Sequence, residues 1–432
     1  MSFNIGLSGL YAANKQLDVT GNNIANVATT GFKSSRAEFE DVYSATKLGS
    51  GSKTVGNGVR LSNVSQQFGQ GDVNNTGNVL DMGIQGQGFF VLSNDGSLSY
   101  TRAGTFKTDK AGYITNSDGT SKLQGYGVDA NGKIQNGILT DLRIDTSNLP
   151  PQATSLVSST INLNSTATPI TAAFNPTDTA TFTKQFTTPI YDTQGNQHSM
   201  DQYMVKTAGN TWNVYTLIDG RNLNGSAPTT TGATAPVPST MNFDSSGRLT
   251  TVTTPPASTS SDLILTGWVP GTVTNGTWTA NGASSAPTIT ISMGNTTQFN
   301  ADTARSLPVQ NGYATGQITN LTIDGSGVLL ANFSNNQTKP IGQLALASFT
   351  NEQGLQPVGG TSWKETFDSG IPAYDAPTTG TLGSIVSNAL EESNVNLTNE
   401  LVELIKAQSN YQANAKTIST QSTIMQTIIQ MA

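Results

Sequence analysis

Both ends of the chain carry a seven-residue hydrophobic repeat. Phe3, Leu10, Leu17 and Ile24 recur at that interval, with Leu7, Asn14, Gly21 and Ala28 at the offset positions. At the other end Leu397, Leu404, Tyr411, Ile418 and Met425 keep the same interval, with Leu401, Gln408, Ala415, Ser422 and Ile429 between them. One apolar and one mixed position per heptad predicts two long helices with a coiled-coil-like seam. Over 2–28 and 397–430 they would be ~40 and ~50 Å long at 1.5 Å per residue.

Between these ends the period shortens. Gly88-Phe89-Phe90-Val91-Leu92, Tyr203-Met204-Val205, Trp212-Asn213-Val214-Tyr215 and Leu344-Ala345-Leu346 are short apolar or alternating runs. Asp95-Gly96, Asp118-Gly119, Asn131-Gly132, Asn136-Gly137, Asp219-Gly220, Asn275-Gly276 and Asp324-Gly325 punctuate them. Such pairs tolerate the positive φ angles of type I′ turns and predict antiparallel strands of a sandwich or barrel. Glu is absent from 41 to 351 and present on both sides, as expected for helical ends around a β-rich middle.

A compositional shift divides that middle. After Leu149-Pro150-Pro151 the chain is dominated by Thr, Ser and Pro, and the earlier style returns by Gly312-Tyr313-Ala314. Two nested, mainly antiparallel β domains are expected. Residues 1–28 with 396–432 form the helical polymerisation domain, and 29–70 with 365–395 a connecting segment. Residues 71–147 with 301–364 form an inner β domain, and 148–300 an inserted Thr/Ser-rich outer one. The Gly, Ser and Thr content of the connecting segment suits ordering on assembly. Trp212, Tyr215, Trp268 and Trp278 argue that the insert is folded. The passage between the β domains, at Pro150, Pro151, Ala304 and Arg305, is the candidate hinge.

Charge changes the picture of the helices. Only 11% of the 432 residues are charged, and the net charge is −7. Up to Val27 the charges are Lys15 and Asp18; after Lys406 only Lys416 remains. A solvent-facing helix displays charges opposite its apolar stripe, whereas these faces carry Asn, Gln, Ser, Thr and Ala. A helical hairpin within one chain explains the heptads but not the missing charges; packing against other copies explains both. Leu7, Leu10, Leu17, Ile24, Leu397, Leu401, Leu404, Tyr411, Ile418 and Met425 are the expected assembly positions.

The same arithmetic excludes several chemistries. With no Cys there is no disulfide, thiolate nucleophile or Cys-based zinc site. The acidic balance argues against nucleic acid, and no apolar run reaches the ~18 residues of a membrane span. The start lacks a basic region and a continuous apolar core, so no cleaved signal peptide is expected. A hydrolytic triad would need His198, the sole histidine, which sits beside a Gly turn and is expected at the surface. The Asp-Gly turns lack a full calcium-loop ligand set, and Gly83-Ile84-Gln85-Gly86-Gln87-Gly88 has the wrong spacing for a dinucleotide loop. No enzyme activity, metal or cofactor is expected.

Three segments carry a resemblance. Leu7-Ser8-Gly9-Leu10 and the run Asp18 to Lys33, with Asn22, Asn23, Ile24, Ala25, Asn26, Gly31 and Phe32, resemble the N-terminal signature of bacterial flagellar rod and hook proteins. Leu390 to Leu397 and Glu403 to Lys416 resemble the matching C-terminal signature. Gly86 to Val91 with Tyr100 to Phe106 looks like the β domain shared by hook and distal-rod proteins. The length, and the stretch Asn332 to Ala347, resemble the hook members most. The resemblance implies a subunit exported by the flagellar apparatus and polymerised on the distal rod beneath a hook cap. It would meet hook–filament junction proteins and form a curved extracellular tube acting as a universal joint. A distal-rod role is the alternative within the family, and a Thr-rich adhesin the alternative outside it.

Overall fold

The structure is a computed structural model that describes residues 2–42, 56–129, 132–255, 258–274 and 277–431. It is mostly β, with a helix at each end. Two compact units share the chain. The first comprises Met1–Thr146, Thr319–Asn332 and Thr338–Ala432; the second comprises Ser147–Ile318 and Phe333–Gln337.

In the first unit α1 spans Ser2–Ala25 and α2 spans Leu397–Met431. Helix α1 stops three residues short of the expected end. The Asn26 N–H is shared between the carbonyls of Asn22 and Asn23 (3.2 and 3.1 Å), and the Asn26 side-chain amide also donates to the Asn22 carbonyl (2.9 Å), so the last turn closes on itself. Helix α2 starts at a true cap: Asn396 Oδ1 accepts the Asn399 N–H at 3.1 Å, satisfying a donor the first turn leaves free. Strands β1 (Ser35–Asp41) and β2 (Val59–Gln66) form an antiparallel hairpin that packs on α1. In the described parts of 29–70 these two strands pair and pack on α1; 43–55 lie outside the described residues.

The rest of the first unit is built on one antiparallel path of strands. It runs Ile318–Ile323, Val328–Phe333, Thr338–Leu344, Lys122–Tyr126, Phe89–Asn94, Ser97–Thr101, Ser362–Lys364 and Gln356–Gly359. Phe89 to Leu92 are all buried, because this strand lies in the middle of the path and is covered on both faces. Phe89 meets Trp363 edge-on at 5.7 Å, and Phe68 closes the cluster against both rings.

The second unit contains a six-stranded meander from Lys184–Tyr191 to Ser258–Ser260 and a four-stranded sheet. In the latter, Leu156–Ser158 pairs parallel to Thr288–Ser292 and antiparallel to Val309–Gln310. Trp212, Met200, Met204, Met241, Ile289, Ile291 and Trp268 are buried together as its core. The Thr/Ser-rich composition ends near 300, but the unit does not. Ala304–Arg305 pairs with Ile161–Asn162, and Val309–Gln310 with Val157 and Ser158, so the chain stays in this unit until Ile318.

Two sequence expectations change here. Asp95-Gly96 and Asp219-Gly220 do have positive φ at both residues. Four other turns use a different device, opened by Asp109, Asp192, Asp244 and Asp324. In each, Oδ1 accepts the N–H groups two and four residues on. The left-handed residue is the glycine three positions later (Gly112, Gly195, Gly247, Gly327), so at Asp324 it is not Gly325. Of the remaining Asn-Gly pairs, Asn131-Gly132 and Asn275-Gly276 involve residues outside the described ones. His198 is the second correction. It is 4% exposed rather than at the surface, because Asp192 and Asp219 take its two ring nitrogens.

Candidate assembly surface

Helices α1 and α2 pack on each other, and the centre of their contact is small and polar. Gly6, Ala13, Thr20 and Asn23 are buried on α1, and Ala407 on α2. A side chain at Gly9 would begin 2.6 Å from Asn414 Oδ1, and one at Gly6 would begin 3.1 Å from Ile418 Cγ1. Such close approach excludes leucine from the centre. The expected seam residues Leu7, Leu10, Leu17 and Ile24 accordingly stand half-buried beside it, as do Leu404 and Ile418 on α2. Polar bonds complete the contact: Gln16 donates to Glu403 at 3.0 Å, and Asn23 to Glu400 at 3.2 Å.

The other expected positions on α2 do not reach α1's central stripe. Leu397, Leu401, Tyr411 and Met425 are exposed. Other apolar side chains that the heptad reading did not single out join them, including Ile405 at 62% and Ile428 at 56% exposed. Leu397, Leu401 and Ile405 step by four along one side of the helix, and Ile424 with Ile428 and Met425 with Ile429 form two further pairs on other sides of its C-terminal half. Apolar side chains left uncovered around the helix, with Lys416 its only charge after Lys406, mark an association surface by physical criteria.

Below the helices lies a feature the sequence reading missed. Lys33, Arg102 and Glu391 are buried together. Lys33 Nζ donates to Glu391 Oε1 at 2.6 Å and to the Gly69 carbonyl at 2.8 Å. Arg102 donates to Glu391 Oε2 at 3.1 Å and to the Gly86 carbonyl at 2.9 Å, and the Gly71 N–H adds a third bond to the carboxylate. Burial pushes the Lys33 amine down from its ordinary range, with Glu391 opposing the shift. Burial likewise raises the carboxyl of Glu352, which feels both cations.

The N-terminal motif residues surround this cluster. Asn23 is buried and acts as a bracket: its amide donates to the Ser35 carbonyl at 2.8 Å, and its Oδ1 accepts the Ser35 N–H at 2.9 Å. Gly31 takes φ +68°, and a side chain there would begin 2.3 Å from the Ala103 nitrogen, so the motif's glycine is set by backbone contact. Asn22 and Ala25 are exposed, and Ile24 and Phe32 half-buried. Asn22, Asn26 and Phe32 line a surface cleft of about 420 Å³ together with Pro357 and Trp363.

Known proteins share this arrangement of segments. Residues 3–33 match the family described as flagella basal body rod protein, and 386–431 the flagellar basal body rod FlgEFG protein C-terminal family. Residues 83–171 match the flagellar hook protein FlgE/F/G D1 domain, and 162–313 the flagellar basal body protein FlaE D2 domain. Over 436 residues the chain is 37% identical to the flagellar hook protein FlgE of Salmonella typhimurium, covering 100% of both. It is 37% identical to that of Escherichia coli K12 over 440 residues, also covering 100% of both. It is 32% identical to that of Treponema pallidum over 460 residues, covering 99% of this chain and 98% of that one. The chain belongs to the flagellar hook protein family.

It is accordingly a structural subunit of the bacterial flagellar hook, in a family of structural rather than enzymatic proteins. In this hook protein the buried triad takes one residue from each of three matched segments: Lys33 from 3–33, Arg102 from 83–171 and Glu391 from 386–431. The candidate hinge residues are placed differently from expectation. Pro150 and Pro151 lie between two backbone pairings, Leu149 with Gly316 and Gln152 with Tyr313, inside the second unit. Ala304 and Arg305 are also inside it; Arg305 donates to Thr188 Oγ1 at 2.8 Å and to the Thr187 carbonyl at 2.6 Å. The chain passes between units at Thr146/Ser147, Ile318/Thr319, Asn332/Phe333 and Gln337/Thr338.

Proposed function

We propose that the hook protein assembles through α1 and α2 into a helical homopolymer whose inner tube they line. The observation that carries this is the series of exposed apolar side chains along α2, from Leu397 to Met431. Burying one such side chain contributes ~1.5–3 kcal/mol, so a few of them per copy are enough to drive association. The heptad residues half-covered in one chain, Leu404 and Ile418 among them, become fully covered when copies pack side by side in a coiled-coil-like layer. The cleft at Asn22, Asn26 and Phe32 is offered to a neighbouring copy as well.

In this reading the two β domains are nested in the chain. The product is a short curved tube acting as a universal joint that passes torque from rod to filament. Each row of subunits lengthens and shortens as the tube turns. The connections at 146–148 and 317–319, close to the candidate hinge residues Pro150 and Pro151, supply the freedom for this. The subunit leaves the cell through the flagellar export apparatus. It meets the distal rod, the hook cap and the hook–filament junction proteins. Among the described residues no helix is long and apolar enough to cross a membrane.

Assembly of an Ile424→Asp chain tests the helical part. Ile424 is exposed, so the substitution leaves the single chain folded, with unchanged circular dichroism. It should abolish polymer seen by electron microscopy; normal tubes from this chain would contradict the assembly role of α2.

A further inference from the structure

The second unit holds a polar cluster that assembly does not use. His198 Nδ1 lies 2.6 Å from Asp219 Oδ2, and Nε2 lies 3.3 Å from Asp192 Oδ2. Neither carboxylate is there by chance. Asp192 also accepts the Gln194 and Asn196 N–H groups and the side-chain amides of Asn196 and Asn281, all at 2.9 Å. Asp219 Oδ1 accepts the Ser199 N–H at 2.8 Å. The edge of the imidazole packs on Trp268, at 5.1 Å and 82°. Arg221, two residues after Asp219, is turned to the Gly225 carbonyl.

An ionised carboxylate only accepts hydrogen bonds, and a neutral imidazole has a single N–H. Both ring nitrogens face carboxylate oxygens. Only the doubly protonated ring satisfies both, so the geometry itself specifies an imidazolium. It ties the turn 192–196 to the turn at 219–220, and Asp192 in turn accepts from the segment at Asn281. The last is held further by Thr193 N–H to the Ser284 carbonyl (3.0 Å) and Ser284 N–H to Thr193 Oγ1 (2.9 Å).

We propose that Asp192–His198–Asp219 is a proton-operated latch: the buried imidazolium clamps its own strand to the turns at 192–196 and 219–220, with the segment at Asn281 held through Asp192, and the clamp loosens when the ring gives up its proton as pH rises. Burial by itself disfavours the charged ring, but hydrogen bonds to Asp219 and then Asp192 outweigh it, and the pKa stands above the ordinary 6.5. A raised histidine pKa means that the folded unit keeps a proton which the unfolded chain releases first. The stabilisation is complete below the unfolded value and is lost as pH climbs through the folded one. At the acid end Asp192 works in the opposite sense: although burial opposes it, its hydrogen bonds hold its carboxyl below 3.8, so its contribution fades only as pH falls through that lowered value.

The chain has one histidine, so carbon-13-labelled histidine gives a single ring signal in the full-length, unassembled protein. The latch predicts an imidazolium at pH 7 and a titration midpoint above that of a free histidine. It predicts that hydrogen exchange at 192–196, 219–221 and 281–284, corrected for its intrinsic pH dependence, speeds up about tenfold per unit of pH beyond the point where the unfolded chain has released the proton, levelling off above the folded midpoint. Asp219→Asn keeps an acceptor for Ser199 but removes one charge, and should lower the midpoint; His198→Gln should remove the pH step in exchange. A ring that is neutral at pH 7, a midpoint unmoved by Asp219→Asn, or exchange that shows no step in the wild-type chain would each overturn the latch.

Discussion

Glu391 accepts from Lys33, Arg102 and the Gly71 N–H, so its removal leaves two buried cations without a counter-charge. Breaking a buried pair in this way costs ~3–5 kcal/mol, more than a surface pair ever contributes. Glu391→Gln should therefore lower the urea midpoint of the first unit sharply, while the single histidine signal reports the second unit unchanged. Gly31→Ala should cost ~1–3 kcal/mol by the same measurement, because φ is +68° and the added carbon meets backbone that cannot turn aside. Gly31 was among the motif residues named from the sequence, but the Lys33–Arg102–Glu391 cluster was not legible as a site. The motifs around them were recognisable, but nothing in residue spacing says that positions 33, 102 and 391 meet. A lone Lys, Arg or Glu in a motif ordinarily reads as a solvated charge. His198 was misread for a related reason: its turn is visible in sequence, and the distant Asp219 that draws it inside is not.

At the scale of elements, the heptads located both helices within three residues of their ends, because periodicity depends on the whole stripe and not on any one side chain. They did not show which residues lie at the centre. Gly6, Ala13 and Thr20 repeat every seven residues too, but small and polar side chains leave no mark in a hydrophobic pattern. This distinction predicts opposite outcomes for two substitutions in α2. Ala407→Leu places a large side chain where the helices nearly touch, and should cost ~1–3 kcal/mol in the single chain. Ile405→Asp changes an exposed position and should leave single-chain stability unchanged while assembly is lost; thermal melts and sedimentation separate the two. The strands of the middle were legible from their apolar runs. Their extent beyond residue 300 was not, because Ala304–Arg305 and Val309–Gln310 are too short to carry a pattern and are held by the strands they join.

At the scale of the whole molecule, low charge and bare helices at both ends gave the assembly role its physical basis, and the three-segment resemblance gave it a family. A chain lacking 148–317 keeps both helices and most of the first unit. It should still form tubes, with curvature different from the full chain when viewed by electron microscopy; loss of all tubes would make the second unit part of the assembly core. The most direct measurement is negative-stain microscopy of the full-length chain, concentrated in high sulfate to strengthen apolar burial and seeded with sheared hook fragments. Growth of curved hollow tubes from wild-type chain, and none from Ile405→Asp, is the result expected if α2 carries assembly. Seeds that fail to lengthen with folded wild-type chain, or that lengthen equally with both, would contradict it.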